Sequence, residues 1–114
     1  MKHDLKTWPV GFVAVLDGEK THEIRPADRD FQVGDTLHLR EFVPCASCRG
    51  SGEVIEGTNH HSHYMVRPCT CQPPRGEYTG RTCDVEVRYI TRPGTFGLPQ
   101  NLTVMSIVKI EETT

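Results

Sequence analysis

Gly18-Glu19-Lys20-Thr21-His22-Glu23-Ile24-Arg25 packs a turn, a strand and three charged groups suited to one site into eight residues. Gly18 can take the positive φ that ends a preceding helical segment, and Thr21 to Arg25 then reads as a strand with Ile24 pointing to the core. The two-residue period of a strand puts Thr21, Glu23 and Arg25 on one face and His22 and Ile24 on the other. Lys20 stands at the mouth of that strand, so an ammonium, a carboxylate and a guanidinium can converge on one spot. Charge pattern alone also fits a solvent-facing edge strand whose ion pair is worth roughly 0–1 kcal/mol.

Working outward, Trp8-Pro9 opens a helix, because proline is tolerated in a first helical turn, and Asp17-Gly18 closes it. Phe12, Val13 and Leu16 recur at spacings of three and four, the stripe needed to plug one end of a barrel. Trp8 reads as part of that plug. Downstream, Gly34-Asp35 is a turn leading into Thr36 to Phe42, where Leu37, Leu39 and Glu41 alternate with Thr36, His38 and Arg40. Thr82 to Thr91 is a long β-run with Val85, Val87 and Tyr89 on one face. Leu102 to Ile110 is a second, apolar on both faces in its middle as for a central strand, and Val104 is expected to be buried. Glu111 to Thr114 reads as a polar tail.

The pattern Gly18-x-Lys20-x-x-Glu23-x-Arg25 resembles the signature of ASCH domains, small β-barrels of the PUA-like superfamily. Asp4 to Pro9, Arg29 to Leu37, Tyr78-Thr79-Gly80-Arg81 and Phe96-Gly97-Leu98-Pro99 resemble its DUF3850 branch. The resemblance covers nearly everything except residues 44–76. It implies a mainly β, α+β fold: a barrel of five to six mixed strands, the first over His3 to Thr7, with one or two helices. It also implies that Lys20, Glu23 and Arg25 bind RNA or a nucleotide in a cleft between helix and barrel. Lys20 and Arg25 would meet a phosphate or carbonyl oxygen, and Glu23 an exocyclic amine. Trp8, where exposed, would stack on a base. Some ASCH proteins hydrolyse the acetyl amide of N4-acetylcytidine. Lys20 matches the lysine of that motif, whereas Glu23 stands where those enzymes have threonine, so Lys20 and Glu23 are the candidate catalytic pair under this alternative.

At 114 residues, 36% hydrophobic and 25% charged, the chain is expected to form one soluble domain spanning 1–114. The formal net charge of −2 argues against a surface that tracks a nucleic-acid backbone, so nucleic-acid contacts must be local and few. No apolar run approaches the ~20 residues of a membrane span, and Met1-Lys2-His3-Asp4 lacks the apolar stretch of a signal peptide. A cytoplasmic location is the expectation. In such a reducing compartment clustered cysteines more often hold metal than form disulfides, and five is an odd number to pair.

From 44 to 76 the composition shifts to Cys, His, Gly, Pro and Ser. This is expected to be an inserted loop without a core of its own. Cys45-Ala46-Ser47-Cys48-Arg49-Gly50-Ser51-Gly52 is a Cys-x-x-Cys-x-Gly-x-Gly knuckle, in which two thiolates chelate one ion and the glycines let the backbone curl its N–H groups toward sulfur. It resembles half of a DnaJ cysteine-rich repeat; the return half, Cys69-Thr70-Cys71, is one residue tighter. Cys45, Cys48, Cys69 and Cys71 are expected to hold one structural zinc ion. His60, His61 and His63, between Asn59 and Tyr64, can replace one sulfur, make an open metal site or form a solvated loop. Cys83 reads as a small buried hydrophobe. A third function is an adaptor whose zinc knuckle contacts a protein partner.

Overall fold

The computed structural model describes residues 1–58, 60–61 and 63–110. The expected tail Glu111 to Thr114, with Asn59 and Ser62 of the histidine loop, lies outside them. In chain order the elements are β1 (Lys2–Thr7), α1 (Pro9–Leu16), β2 (His22–Pro26), β3 (Thr36–Pro44), β4 (Glu53–Thr58), β5 (Tyr64–Pro68), β6 (Gly76–Thr91) and β7 (Leu102–Lys109). Among the described residues the fold is mainly β, with a curled, mixed five-stranded sheet and one short helix. The chain divides into two compact units, Met1–Glu41 with Gly80–Thr114, and Phe42–Thr79.

The five-stranded sheet has the order β1-β3-β6-β7-β2, with β1 parallel to β3 and β7 antiparallel to both β6 and β2. Alternation along each strand sends Leu5, Leu37, Leu39, Val85, Val87, Met105 and Ile107 to one buried face. Helix α1 covers that face with Phe12 and Val15. Each such side chain stabilises by roughly 1.5–3 kcal/mol through its removal from water. Pro9 fits the first helical turn, and extended Trp8 precedes it as the cap residue. The N–H groups of Asp17 and Gly18 bond back to Val13 and Val15, and Gly18 at φ 80° turns the chain out of the helix. Cys83 is buried in this core, and burial, its largest influence, pushes its thiol pKa up.

Five side chains depart from the sequence pattern. Ile24 is 52% exposed, while Glu23 is 2% exposed, because the inward positions of β2 are taken by Glu23 and Arg25. Tyr89 points outward because an irregularity between Val87 and Tyr89 shifts the β6–β7 register, pairing Val87 with Ile107 and Tyr89 with Ser106. Val104 is only half-buried, since Thr103, Met105 and Ile107 hold the inward positions of β7. In α1 the buried stripe runs through Phe12 and Val15; Val13 is partly exposed, and Trp8 is 52% exposed, outside the plug.

Within Phe42–Thr79, β4 and β5 form an antiparallel hairpin with a bulge between Ile55 and Gly57. The sequence reading missed both strands, although Val54-Ile55 and Tyr64-Met65-Val66 are β-prone. Phe42 packs edge-on against Tyr78 at 5.0 Å. Gly76 is obligatory there: with φ 153°, an added Cβ would sit 2.4 Å from the Val43 carbonyl and 2.5 Å from the Phe42 ring. One two-stranded ribbon is at best marginal alone, so this unit needs another source of stability.

Candidate functional site

The inward face of β2 ends in an ionic network. Glu23 Oε1 accepts from Lys20 Nζ at 3.0 Å, and Oε2 accepts from Arg25 Nε at 2.9 Å. Arg25 then donates from Nη1 to the Lys6 carbonyl and from Nη2 to Thr7 Oγ1, both at 2.9 Å. Lys6 and Thr7 lie on β1, and β1 and β2 are the two ends of the sheet order. Arg25 is therefore a clasp joining the opposite edges of the curled sheet, fixed by the fork geometry of a guanidinium. The structure thus brings Lys20, Glu23 and Arg25 together, with side-chain exposures of 26%, 2% and 17%.

A second acid lies beside them. Thr7 is in register with Glu41, which is buried on the same inward face and faces Arg81 Nη1 at 3.6 Å. The Arg81 guanidinium lies over the Phe12 ring at 5.2 Å. Sequence alternation put Glu41 in phase with Leu37 and Leu39, but nothing there paired it with Arg81. Two buried carboxylates are an expensive way to finish a core, since apolar replacements are often as stable or more so. No buried side-chain polar atom among the described residues lacks a partner.

The second centre is the cysteine cluster. The sulfurs of Cys45, Cys48, Cys69 and Cys71 all lie within 4.8 Å of one another, with Cys45–Cys69 at 3.8 Å and Cys48–Cys71 at 3.5 Å. A tetrahedral ion with metal–sulfur bonds of ~2.3 Å needs sulfur–sulfur edges of roughly 3.8 Å, so the set fits. The knuckle aims its N–H groups at sulfur. Those of Cys48 and Ser47 lower the pKa of Cys45. Burial opposes ionisation of Cys48, but the N–H groups of Gly52 and Gly50 and the Cys71 thiol bring it to about 6. Burial, with the thiols of Cys69 and Cys48, pushes Cys71 up to about 12. The first thiolate thus forms readily and the last does not, which is what a cation is needed to overcome. Arg75 supports this corner, its Nη1 lying 3.6 Å from Cys71 Sγ. A Cβ on Gly52 would come within 2.8 Å of the Arg75 guanidinium carbon. The cluster therefore can hold one metal ion.

A family model described as a domain of unknown function, DUF3850, matches residues 2–107. The chain belongs to the DUF3850 family. No curated protein matches it. The match spans both the ionic clasp and the cysteine cluster of this DUF3850 chain. His60, His61 and His63 are absent from the cysteine cluster; their rings pack on one another, at 4.0 Å between His60 and His61 and 6.4 Å between His61 and His63. Among the described residues no helix is long and apolar enough to cross a membrane.

Sequence reading also missed a buried polar pair at the far end of β1. His3 Nε2 lies 2.8 Å from Asp35 Oδ2, with His3 packed on Phe31. Burial alone would raise the Asp35 pKa, but His3, the Gln32 N–H and the N-terminal ammonium together hold it at about 2.

Proposed function

We propose that this chain is an ASCH-type module that binds a nucleotide or an RNA segment at the Lys20–Glu23–Arg25 network, with Phe42–Thr79 held by one structural zinc ion. The observation that carries the binding reading is the buried ionic network. A carboxylate 2% exposed between two cations contributes little that an apolar side chain would not, which favours a functional reason for keeping it. Within it Arg25 and Glu23 form the frame and Lys20, the most exposed of the three, meets the ligand's acceptor. Zinc is favoured for the metal because four thiolates in a closed tetrahedron suit a structural zinc site.

The hydrolase alternative has less support. Glu23 has one oxygen engaged by Lys20 and the other by Arg25, which leaves it poorly placed as a general base toward water. The adaptor alternative draws support from one feature, the exposed Ile55, Tyr64 and Val66 on the β4–β5 hairpin. With a net charge of −2, binding at the clasp depends on few groups and has a shallow salt dependence. Lys20→Ala should weaken nucleotide or short-RNA binding at least tenfold, about 1.4 kcal/mol, for loss of a charge-assisted hydrogen bond. Titrations in which the variant and the wild type behave alike would remove the clasp as the binding site and leave the hairpin as the surface to test.

A further inference from the structure

The four clustered sulfurs include two close pairs, and both run across the cysteine unit. Cys45 Sγ lies 3.8 Å from Cys69 Sγ and Cys48 Sγ lies 3.5 Å from Cys71 Sγ, so each pair joins one cysteine of the knuckle to one of the return half. A disulfide bond is ~2.05 Å long, so each pair needs its sulfurs to close by roughly 1.5–2 Å. Small solutes have access to both pairs. A cavity of about 470 Å³ is lined by Cys45 and Cys71, together with Val43, Ala46, Gln72 and Glu77. Each pair therefore presents one half-buried cysteine to that cavity, and all five cysteines of the chain are free thiols.

Resting on the reading of this cluster as a metal site, we propose that Phe42–Thr79 has a second, oxidised form, made by a peroxide and held by the disulfides Cys45–Cys69 and Cys48–Cys71 in place of the ion. Peroxide is the only oxidant required. The Cys45 sulfur attacks one peroxide oxygen, the O–O bond breaks, and the departing hydroxide takes a proton and leaves as water, giving a sulfenic acid. The Cys69 sulfur then attacks the Cys45 sulfur, the S–S bond forms, and the S–O bond breaks to release a second water. Two thiolates, one hydrogen peroxide and two protons thus become one disulfide and two waters, with two electrons passing from sulfur to oxygen. A second peroxide does the same at Cys71 and Cys48. The first disulfide already removes two of four ligands, so the ion leaves. The cross-links span 24 and 23 positions of chain and restrict the unfolded segment in the ion's stead. Pairing Cys45 with Cys48 and Cys69 with Cys71 would leave the two halves unjoined.

The test uses the full-length, zinc-loaded chain freed of reductant, with hydrogen peroxide as the probe. A chromogenic chelator reads released zinc, and mass spectrometry of a non-reduced tryptic digest maps the disulfides. Trypsin cuts after Arg40, Arg49 and Arg75, so Cys45 and Cys48 share one peptide and Cys69 and Cys71 share another. The two peptides should become linked as zinc is released, and fragmentation between Cys45 and Cys48 should assign the pairs Cys45–Cys69 and Cys48–Cys71. Cleavage within 42–79 should be about tenfold slower in the oxidised, zinc-free chain than in the reduced, zinc-free chain. Disulfides within each half, the pairs Cys45–Cys71 and Cys48–Cys69, or sulfinic acids without disulfides would overturn the proposal and leave the metal reading standing. So would a correctly paired chain that is cut as fast as the reduced one. Should the reduced chain bind no zinc yet form both expected pairs, the metal reading falls and the disulfide form stands.

Discussion

The sheet unit and the cysteine unit of this chain are held by opposite means. The first buries Phe12, Leu37, Leu39, Val85, Val87 and Met105 completely and closes its edges with Arg25. In the second, Phe42 and Cys48 are the buried residues of the apolar core among those described, and every residue of β5 is exposed. Where apolar area is plentiful, the hydrophobic effect holds the chain and polar groups are free to be arranged for a ligand. Where it is scarce, four clustered cysteine sulfurs offer a site at which a metal ion can take over.

The largest effect expected from this contrast is at the metal. Cys48→Ser should release the ion, and structural zinc contributes about 10–16 kcal/mol in zinc-finger peptides. Elemental analysis and limited proteolysis should then show a metal-free chain cut within 42–79 and intact elsewhere. Cleavage spread evenly over the chain would mean that the two units are not held separately.

A smaller effect is expected at the clasp. Glu23→Ala leaves the Lys20 and Arg25 cations without their carboxylate, and breaking a buried pair this way costs about 3–5 kcal/mol. The urea midpoint should fall accordingly while metal content is unchanged. A loss below about 1 kcal/mol would put Glu23 with ordinary surface pairs.

The smallest effect is confined to acid. The Asp35 carboxyl loses its proton at about 2 in the folded sheet unit against an ordinary 3.8, so protonation favours the unfolded chain. The stabilisation from Asp35 is complete above pH of about 4 and is lost as pH falls toward about 2. Asp35→Asn should flatten the stability profile over that window, and an unchanged profile would remove the His3–Asp35 pair from the argument.

Much of this was legible in the residues. The helix bounds follow from Trp8-Pro9 and Asp17-Gly18, and the inward phase of Leu37, Leu39, Val85 and Val87 from simple alternation. The four cysteines announced their cluster because chelation is written in spacing. Ile24 misled because apolar alternation assumes an apolar interior, and β2 faces inward with its charged residues instead. Tyr89 misled because one irregular position in β6 reverses the phase of the residues beyond it, and composition does not mark that position. The clasp of Arg25 on Lys6 and Thr7 and the pairing of Glu41 with Arg81 depend on which strands become neighbours across the sheet, which local pattern does not encode.

The central claim, that residues 42–79 are held by a metal and the sheet unit is not, is tested most directly by residue-resolved amide hydrogen exchange before and after chelation under reducing conditions. The prediction is that protection in β4, β5 and the cysteine knuckle collapses on metal removal while β1, β6 beyond Gly80 and β7 keep theirs. Full protection of residues 42–79 in metal-free protein would contradict it.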